Sequence, residues 1–345
     1  MGHQATLTTG TGARSILVTG GGGFLGKAII GELLADGHQV ASFSRRHHPE
    51  LDRLGVGQIR GDIADADTLA RAAQGRDVIF HVAAKAGVGG TFEDYFRPNV
   101  TGTRNVIAAC RTGGVSMLVY TSSPSVVFDG KDMAGLDESV PYPARYHAPY
   151  PQTKAMAEQA VVAAADGQLK TIALRPHLIW GPRDNHLVPR ILARAGRLRQ
   201  VGDGRNRVDT IYIDNAARAH RLAMQALAKN PALSGKVYFI SDDHPIELWE
   251  MINRILAAAG KPPVKGRISP QAAYRIGAVL EWAYRVFKIA EEPPMTRFVA
   301  RELATSHWFD ISAAKRDLGY GPHVSIDEGL HRLSAWLTES GLPSA

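Results

Sequence analysis

A tyrosine and a lysine one helical turn apart form the strongest chemical signal in this chain. In Tyr150-Pro-Gln-Thr-Lys154 both side chains share one helix face, because residues i and i+4 are neighbours there. A phenol with an ordinary pKa near ~10 is a poor acid at neutral pH, and a nearby ammonium stabilises its phenolate. The pair therefore predicts a tyrosine tuned for proton transfer, rather than a helix that carries both by chance. Ser123, at a predicted strand end, supplies the hydroxyl that such a site needs, and Ser122 replaces it if the strand register is shifted by one residue.

A glycine-rich turn near the start of the chain predicts a dinucleotide site. Gly20, Gly23 and Gly26 are spaced G-x-x-G-x-x-G between a predicted strand and a predicted helix. One glycine permits the tight turn, another lets the backbone approach a pyrophosphate, and the third allows close packing of helix on strand. The free N–H groups at the helix start then bind the anion. An ordinary flexible turn is the alternative.

The end of the second predicted strand favours NADP(H) over NAD(H). An NAD-binding fold usually carries Asp or Glu there, and that carboxylate would repel a 2′-phosphate. This chain has Ser44 followed by Arg45 and Arg46, whose guanidiniums suit a phosphate unless they form only a solvated edge. Asp62, after the third predicted strand, is placed either to reach the adenine or to form a turn.

Alternating strands and helices must position these residues. Apolar runs separated by helical patterns predict strands at 16–19, 39–43, 58–60, 77–82, 117–121, 171–174 and 236–240. Such alternation indicates βαβ crossovers, so the predicted fold class is α/β, a Rossmann-type doubly wound parallel sheet. Helical patterns dominate after Glu247, which predicts a smaller, mostly helical C-terminal substrate lobe. Pro151 and Gly167 mark the predicted ends of the helix that carries the tyrosine and the lysine.

The same patterns divide the chain into three predicted parts. Residues 1–14, rich in Thr and Gly, are predicted to be a disordered tail. Residues 15–178 plus 210–241 are predicted to form the NADP-binding Rossmann domain. The substrate-binding lobe is predicted to comprise residues 179–209 plus 242–345.

Composition limits the classes of function. The chain has 345 residues, 45% of them hydrophobic, without the run of ~18 apolar residues that a membrane-spanning helix needs. Its 40 Lys and Arg against 33 Asp and Glu give a formal charge of +7, but the basic residues are scattered, so nucleic-acid binding is not expected. Cys110, the single cysteine, is a predicted buried filler, which fits a cytoplasmic location. Since neither a cysteine cluster nor histidines at metal spacing occur, no metal is expected.

One helical segment in the predicted lobe, 274–288, carries more apolar residues than a narrow stripe needs. It fits a core helix of the lobe, a wall of an apolar substrate channel, or a surface that contacts a membrane or a pathway enzyme. The sequence leaves these interpretations open.

Several motifs together make the chain resemble a known family. The glycine fingerprint, Asp62, Ala83-Ala84, Asn99, Ser123 and the Tyr150–Lys154 pair resemble the extended short-chain dehydrogenase/reductases. Within that family, segments 120–128, 148–158, 174–176 and 180–182 look like the 3β-hydroxysteroid dehydrogenase branch. Segments 56–62, 81–86, 306–310 and 316–320 are similar to bacterial 2-alkyl-3-oxoalkanoate reductases of long-chain olefin synthesis.

The resemblance implies a role for each matching position. Ser123, Tyr150 and Lys154 correspond to the catalytic residues, and Asn99 corresponds to an asparagine near the cofactor, a role compatible with capping a helix. Ser123 is also a predicted substrate contact. From their positions beside motif segments rather than from the resemblance, His177 and Arg183 are predicted substrate contacts too, with Arg183 holding a carboxylate, although His177 also fits a packed or surface histidine. The predicted cofactor-binding residues are Gly20, Gly23, Phe24, Leu25, Gly26, Ser44, Arg45, Arg46, Asp62, Ile63, Ala83, Ala84, Lys85, Asn99, Thr121, Tyr150, Lys154 and Pro176.

The function that the resemblance implies is reduction of a ketone on a hydrophobic substrate by NADPH. The expected reaction converts a 2-alkyl-3-oxoalkanoate to a 2-alkyl-3-hydroxyalkanoate in olefin synthesis. A 3β-hydroxysteroid or sterol-carboxylate dehydrogenase that works in the oxidative direction is the alternative enzyme. A non-catalytic NADP-binding redox sensor is the alternative of another class, although such a protein has no need of the catalytic set. The resemblance also implies a homodimer.

Overall fold

The computed structural model describes residues 12–287, 289 and 291–341, so most of the predicted tail lies outside the described residues. The strands are β1 (Ser15–Thr19), β2 (Gln39–Ser44), β3 (Gly57–Arg60), β4 (Val78–His81), β5 (Met117–Thr121), β6 (Met133–Leu136), β7 (Lys170–Pro176), β8 (Ile179–Trp180), β9 (Gln200–Val201), β10 (Arg207–Val208), β11 (Ile211–Tyr212), β12 (Lys236–Ile240), β13 (Ile246–Glu247), β14 (Arg267–Ile268) and β15 (His307–Phe309).

The helices alternate with the strands in the first half of the chain and dominate the second. They are α1 (Phe24–Ala35), α2 (Pro49–Asp52), α3 (Ala66–Ala73), α4 (Phe92–Phe96), α5 (Gly102–Gly113), α6 (Pro149–Ala163), α7 (Leu187–Ala193), α8 (Ile213–Lys229), α9 (Leu248–Ala258), α10 (Pro270–Val286), α11 (Arg297–Glu302), α12 (Ser312–Leu318) and α13 (Ile326–Glu339).

A parallel sheet forms the centre of the described chain. Its seven strands lie in the order β3-β2-β1-β4-β5-β7-β12, and they are the seven strands that the apolar runs predicted. The predicted Rossmann-type α/β fold is therefore confirmed. The strand order reverses between β1 and β4, and in open α/β sheets the crevice at such a reversal, outside the carboxyl ends of the strands, binds the ligand.

Both faces of this sheet are covered, as a parallel sheet requires. Ile16 and Val18 of β1 point into one apolar cluster, which also contains Ile29 of α1. Leu17, between them, points into the opposite cluster with Val106 of α5. Cys110 is fully buried in this second cluster, which confirms its prediction as a buried filler.

The predicted smaller, mostly helical lobe is confirmed, and short strands tie it to the sheet domain. One small sheet has the order β13-β10-β15-β6, so β15 of the C-terminal region pairs with β6 of the N-terminal region. The helix α12 contacts α8 and β12, so it returns to the central sheet. The division of the chain into two domains at the predicted bounds stays a prediction.

The predicted segment 274–288 lies largely in α10, and its last residue falls outside the described residues. Its apolar side chains are not core, because Val279 is 63% exposed, Trp282 62% and Phe287 70%. Other residues of the same helix, Ile276 and Leu280, line the main cavity. The core-helix interpretation is therefore wrong for most of this helix. Two of its residues line the cavity, as a channel wall would, but that this cavity is the substrate channel stays a prediction. In the part of the chain that the structure describes, no helix is both long and apolar enough to cross a bilayer.

Candidate active site

A cavity of about 1790 Å³ runs along the carboxyl edge of the sheet and continues between the sheet and the lobe. Ligand pockets commonly hold ~300–1,000 Å³, so this one has room for a dinucleotide and a second long molecule. Except for Asn99, every predicted cofactor residue lines it, and Ser123 and His177 line it too. The structure thus brings together the glycine loop, the paired arginines and the predicted catalytic residues in one space.

Tyr150 lies in the first turn of α6, which begins two residues before the predicted Pro151 start. Burial raises the pKa of its phenol, and the Ser123 hydroxyl opposes this effect. Ser123 is the second residue after β5, and its Oγ accepts a hydrogen bond from the Ser125 N–H at 3.2 Å. The neighbouring Ser122 is tied by its N–H to the Leu174 carbonyl at 2.6 Å. Of the two hydroxyls, that of Ser123 is the one that lowers the pKa of the Tyr150 phenol, and its catalytic role stays a prediction.

Lys154 sits one turn after the tyrosine and is buried. Its Nζ donates to the Thr121 carbonyl at 2.6 Å and lies 4.2 Å from the centre of the Tyr120 ring. Burial lowers the pKa of the ammonium to about 7, and the carboxylate of Glu158, one turn further along α6, works against this decrease. The charge of Lys154 therefore depends on what else occupies the cavity.

Glu158 is held by a buried ion pair that the sequence motifs did not single out as functional. Arg175 of β7 donates to its two oxygens at 2.9 and 2.6 Å, and the Tyr142 hydroxyl donates at 2.7 Å. Both charges are nearly free of solvent contact. Such a bidentate pair keeps its geometry, so Glu158 presents a fixed negative charge beneath Lys154.

The glycine loop fits the pyrophosphate of a dinucleotide. Gly20 has φ +71°, and a Cβ there would lie 2.9 Å from the Ala83 backbone, so only glycine is accommodated. The following helix, α1, begins after Gly23 with no side-chain cap and no acidic residue in its first turn. Its first N–H groups are consequently free to bind an anion.

The other end of this cofactor region is cationic. Arg45 and Arg46 are exposed at the end of β2, and within the described residues neither forms an ion pair. Their guanidinium groups suit a 2′-phosphate on the ribose. His48 also lines the cavity here, and the sequence interpretation missed it because it treated the histidine only as a metal-ligand candidate.

Asp62 and Asn99 have more structural roles than predicted. Asp62 lines the cavity, but its Oδ1 accepts the Ala64 N–H at 3.0 Å, as the turn alternative expected, and Arg97 pairs with it at 3.3 Å.

Asn99 lies inside a single π-helical turn, 97–101, so the helix-cap interpretation is wrong. It binds the backbone N–H and carbonyl of Lys85 at 2.8 and 3.1 Å, and Lys85 in turn lines the cavity. Direct contact of Asn99 with a cofactor stays a prediction.

Of the other two predicted substrate residues, His177 reaches the cavity and Arg183 does not. His177 lines the cavity, and its Nε2 lies 2.6 Å from Nδ1 of His307. Arg183 is exposed and does not line the cavity. A cation that does line it is Arg190, which the sequence interpretation missed and which pairs with Glu292 at 2.5 Å. Glu292 also accepts the Val88 N–H at 3.0 Å and so joins the lobe to the loop after β4.

Glu302, at the end of α11, is a carboxyl of the cavity that carried no sequence signal. It lines the cavity, and its charge opposes ionisation of Tyr150. Burial raises its own pKa to about 8. The lobe therefore contributes an acid to the site formed by the sheet domain.

Comparison with known proteins agrees with this geometry. Residues 17–267 match the model of the 3-beta hydroxysteroid dehydrogenase/isomerase family. The chain belongs to this family. It is also 54% identical to a 2-alkyl-3-oxoalkanoate reductase of Stenotrophomonas maltophilia, covering 93% of this chain and 98% of that protein. A sterol-4-alpha-carboxylate 3-dehydrogenase of Mus musculus is 35% identical over 93% of this chain and 90% of the relative.

Solved structures of similar fold match almost the whole chain. The structure of gox2253 has a TM-score of 0.77 and 27% identity, covering 95% of this chain and 99% of that one. A UDP-glucuronic acid 4-epimerase from Bacillus cereus in complex with NAD has a TM-score of 0.73 at 23% identity, covering 94% and 99%. The protein is thus an oxidoreductase of a nicotinamide-dependent family.

Proposed function

We propose that this enzyme uses NADPH to reduce the 3-oxo group of a 2-alkyl-3-oxoalkanoate, giving the 2-alkyl-3-hydroxyalkanoate of long-chain olefin synthesis. The observation that carries the proposal is that Ser123, Tyr150 and Lys154 line the same cavity as both the glycine loop and the apolar lobe. Two relatives named for this reaction, 54% and 52% identical over 93% of the chain, support the substrate class.

Ser123, Tyr150 and Lys154 each have a separate role in the acid–base chemistry. NADPH, when bound, supplies the hydride. Ser123 donates a hydrogen bond to the ketone oxygen, and Tyr150 gives its proton to that oxygen as negative charge develops there. Because burial raises the pKa of Tyr150, the phenol holds this proton until transfer. The ammonium of Lys154 then stabilises the phenolate that remains.

The preference for NADPH rests on charge at the end of β2. A 2′-phosphate would face Arg45 and Arg46, and no carboxylate follows the strand to repel it. Asp62, the nearest acid along the chain after β3, is engaged by Arg97.

The lobe supplies the apolar part of the substrate site. Ile191, Leu248, Ile252 and Phe298 line the cavity on this side, together with Leu280 of α10. Each buried CH₂ contributes ~0.8 kcal/mol, so two long alkyl chains dominate the affinity. The alternative, a 3β-hydroxysteroid or sterol-carboxylate dehydrogenase, is favoured by the name of the family and by relatives at 35–37% identity.

Single-turnover assays with 2-alkyl-3-oxo acids of graded chain length, beside a 3-ketosteroid, test the proposal. With NADPH in excess, we expect the apparent affinity for the acids to rise severalfold with each added CH₂ until the cavity is filled. The proposal fails if short acids bind as tightly as long ones, or if the steroid turns over much faster. NADPH binding without turnover of any ketone favours the redox sensor.

We also propose that the exposed face of α10 rests on an anionic lipid surface. Val279, Trp282 and Phe287 are each more than 60% exposed, and the exposed cations Arg275 and Arg285 form no ion pair within the described residues. An amphipathic helix with basic and aromatic residues binds the boundary of such a membrane.

Two further observations favour a lipid occupant for this face. Its one acidic residue in the described range, Glu281, is already paired with Arg297 at 2.7 Å. Packing on a second copy across a two-fold axis would bring like cations together, whereas anionic head groups would neutralise them. The expected homodimer therefore uses another face. Since Ile276 and Leu280 line the cavity, the lipid would lie beside the entrance for alkyl chains.

A further inference from the structure

Arginines of α7 and of the turn after it line the lobe side of the cavity. Arg190 lies in the last turn of α7, Arg194 follows four residues later at the end of the helix, and both are half-buried. Arg197, less than one turn further along, is exposed and lines the cavity too. Within the described residues the side chains of Arg194 and Arg197 form no hydrogen bond or ion pair. Unpaired guanidiniums in a cavity favour a ligand that carries a carboxylate or a phosphate.

Arg190 already holds one carboxylate of the protein. Its Nη2 donates to Oε2 of Glu292 at 2.5 Å, which is the single hydrogen bond of this guanidinium within the described residues. A guanidinium has five N–H donors, so the others are available to a second acceptor. Both side chains of the pair are partly exposed. Such a pair contributes little net stability, so another carboxylate can replace Glu292 at small cost.

The Glu292 carboxylate is linked to Tyr150 through Tyr95. Its Oε1 accepts the Val88 N–H at 3.0 Å, in the loop after β4. A Cβ on Gly87 would clash with this oxygen and would lie 3.3 Å from the Tyr95 hydroxyl, so the carboxylate and the hydroxyl are close neighbours. The centre of the Tyr95 ring lies 6.4 Å from that of the Tyr150 ring. The carboxylate that pairs with α7 therefore borders the end of the cavity where the phenol lies.

Apolar side chains line the cavity alongside these arginines. Ile191, which lies between Arg190 and Arg194 in the chain, lines it together with Ile252 of α9 and Phe298 of α11. A ligand that fits both the cations and this apolar surface has a small anionic head and long apolar chains. A 2-alkyl-3-oxo acid has this form.

We propose that Arg190 and Arg194 bind the carboxylate of the 2-alkyl-3-oxo acid, and that Glu292 occupies this place in the free protein. This inference rests on the proposed function. In a 3-oxo acid the carboxylate is only two bonds from the carbon that is reduced, so its receptor must border the site of Tyr150. A guanidinium released from Glu292 stands on a long flexible side chain, which lets it follow the carboxylate towards the ketone. Arg183, which the sequence predicted for this role, lies outside the cavity.

The test compares a 2-alkyl-3-oxo acid with its methyl ester, which keeps the ketone and the chains but removes the charge. The measured quantity is kcat/KM for the acid divided by kcat/KM for the ester. We expect this ratio to fall about tenfold in Arg190→Gln and in Arg194→Gln, because each variant loses a charge-assisted hydrogen bond that only the acid receives. Arg183→Gln, an exposed arginine outside the cavity, is the matched control and should keep the wild-type ratio.

Glu292→Gln should change the ratio in the opposite direction. The amide keeps an oxygen for the Val88 N–H but no longer competes as an anion for Arg190, so the ratio should rise about threefold. The double variant Arg190→Gln/Glu292→Gln separates binding from support. If Arg190 binds the substrate, the ratio stays low in the double variant. A return to the wild-type ratio would mean that Arg190 serves only to neutralise Glu292, and would overturn its role.

The remaining outcomes separate the inference from the function on which it rests. Equal losses for acid and ester in the arginine variants indicate a packing role, and a weaker NADPH affinity assigns these cations to the cofactor; either result overturns the inference. Lys85, whose Nζ lies 4.9 Å from the centre of the Tyr95 ring, is the rival cation, and a ratio lowered only by Lys85→Gln would move the carboxylate there. In all three cases a wild type that reduces the acid leaves the proposed function standing. Failure to reduce any 3-oxo acid overturns both.

Discussion

Lys154 is the residue whose charge responds most directly to a ligand. With its pKa lowered to about 7 by burial, it is mostly neutral at pH 8 in the free protein. A bound dinucleotide brings negative phosphates into the same cavity and favours the ammonium. We therefore expect NADPH binding at pH 8 to take up protons. Calorimetry in two buffers of different ionisation enthalpy measures this uptake, which Lys154→Met should reduce. Equal proton uptake by the variant and the wild type would contradict the conclusion that Lys154 is the group that takes up the proton.

Single residues could be predicted from the sequence where their signal is local. Tyr150 and Lys154 are four positions apart on one helix, so their spacing alone indicated their chemistry. Glu302 carried no such signal, because α11 and α6 are far apart in the chain and only the fold brings both to the same cavity. Arg183 follows a motif segment and was predicted to meet substrate, yet its side chain lies outside the cavity, whereas Arg190 lines it.

The β2–α2 connection carries the cofactor preference. Arg45 and Arg46 offer charge-assisted hydrogen bonds of ~1.5–3 kcal/mol to a 2′-phosphate, which corresponds to roughly one to two decades in affinity. Changing both to alanine should reduce the ratio of NADPH to NADH affinity by that factor. Titration of protein fluorescence with each cofactor measures it, and Arg104→Ala, an exposed arginine outside the cavity, is the matched control. Equal affinity of the wild type for NADPH and NADH would reject the prediction.

The central strands and their helices followed from the sequence because each is marked by a continuous apolar run. Short strands such as β10 and β15 were not predicted, since their pairing is long-range and each has only two or three residues. The π-helical turn at Asn99 was missed for a similar reason, as its conformation depends on contacts with Lys85 and Thr153. The α6 helix begins at Pro149 rather than Pro151, because either proline fits a first turn.

Among the described residues, four of the eight exposed large apolar side chains lie in α10, and Phe287 follows that helix directly. If α10 rests on lipid, the purified protein should sediment with anionic phosphatidylglycerol vesicles and less with phosphatidylcholine vesicles. Trp282→Ser/Phe287→Ser should lower the bound fraction several-fold. Leu54→Ser, an exposed apolar residue elsewhere at 54%, is the matched control. Equal binding by the double variant would exclude this face, and a concentration-dependent dimer lost in the variant would identify a second copy as its occupant.

A buried joint centred on Asn215 connects α8 with the chain after β12 and with the C-terminal segment. Asn215 of α8 donates to Asp242 at 2.7 Å and to the Val324 carbonyl at 2.8 Å. This joint holds the strand region after β12 against the C-terminal segment.

The central claim is that Tyr150 protonates a ketone next to a bound nicotinamide cofactor, and removing one oxygen atom tests it most directly. Tyr150→Phe keeps the ring and leaves the cofactor residues in place, so NADPH affinity should stay within about threefold of wild type. The single-turnover rate of NADPH oxidation by a long-chain 2-alkyl-3-oxo acid should fall by ~10²–10⁴-fold, the range for loss of a general acid. A variant that keeps both its NADPH affinity and more than about a tenth of the wild-type rate would contradict the account.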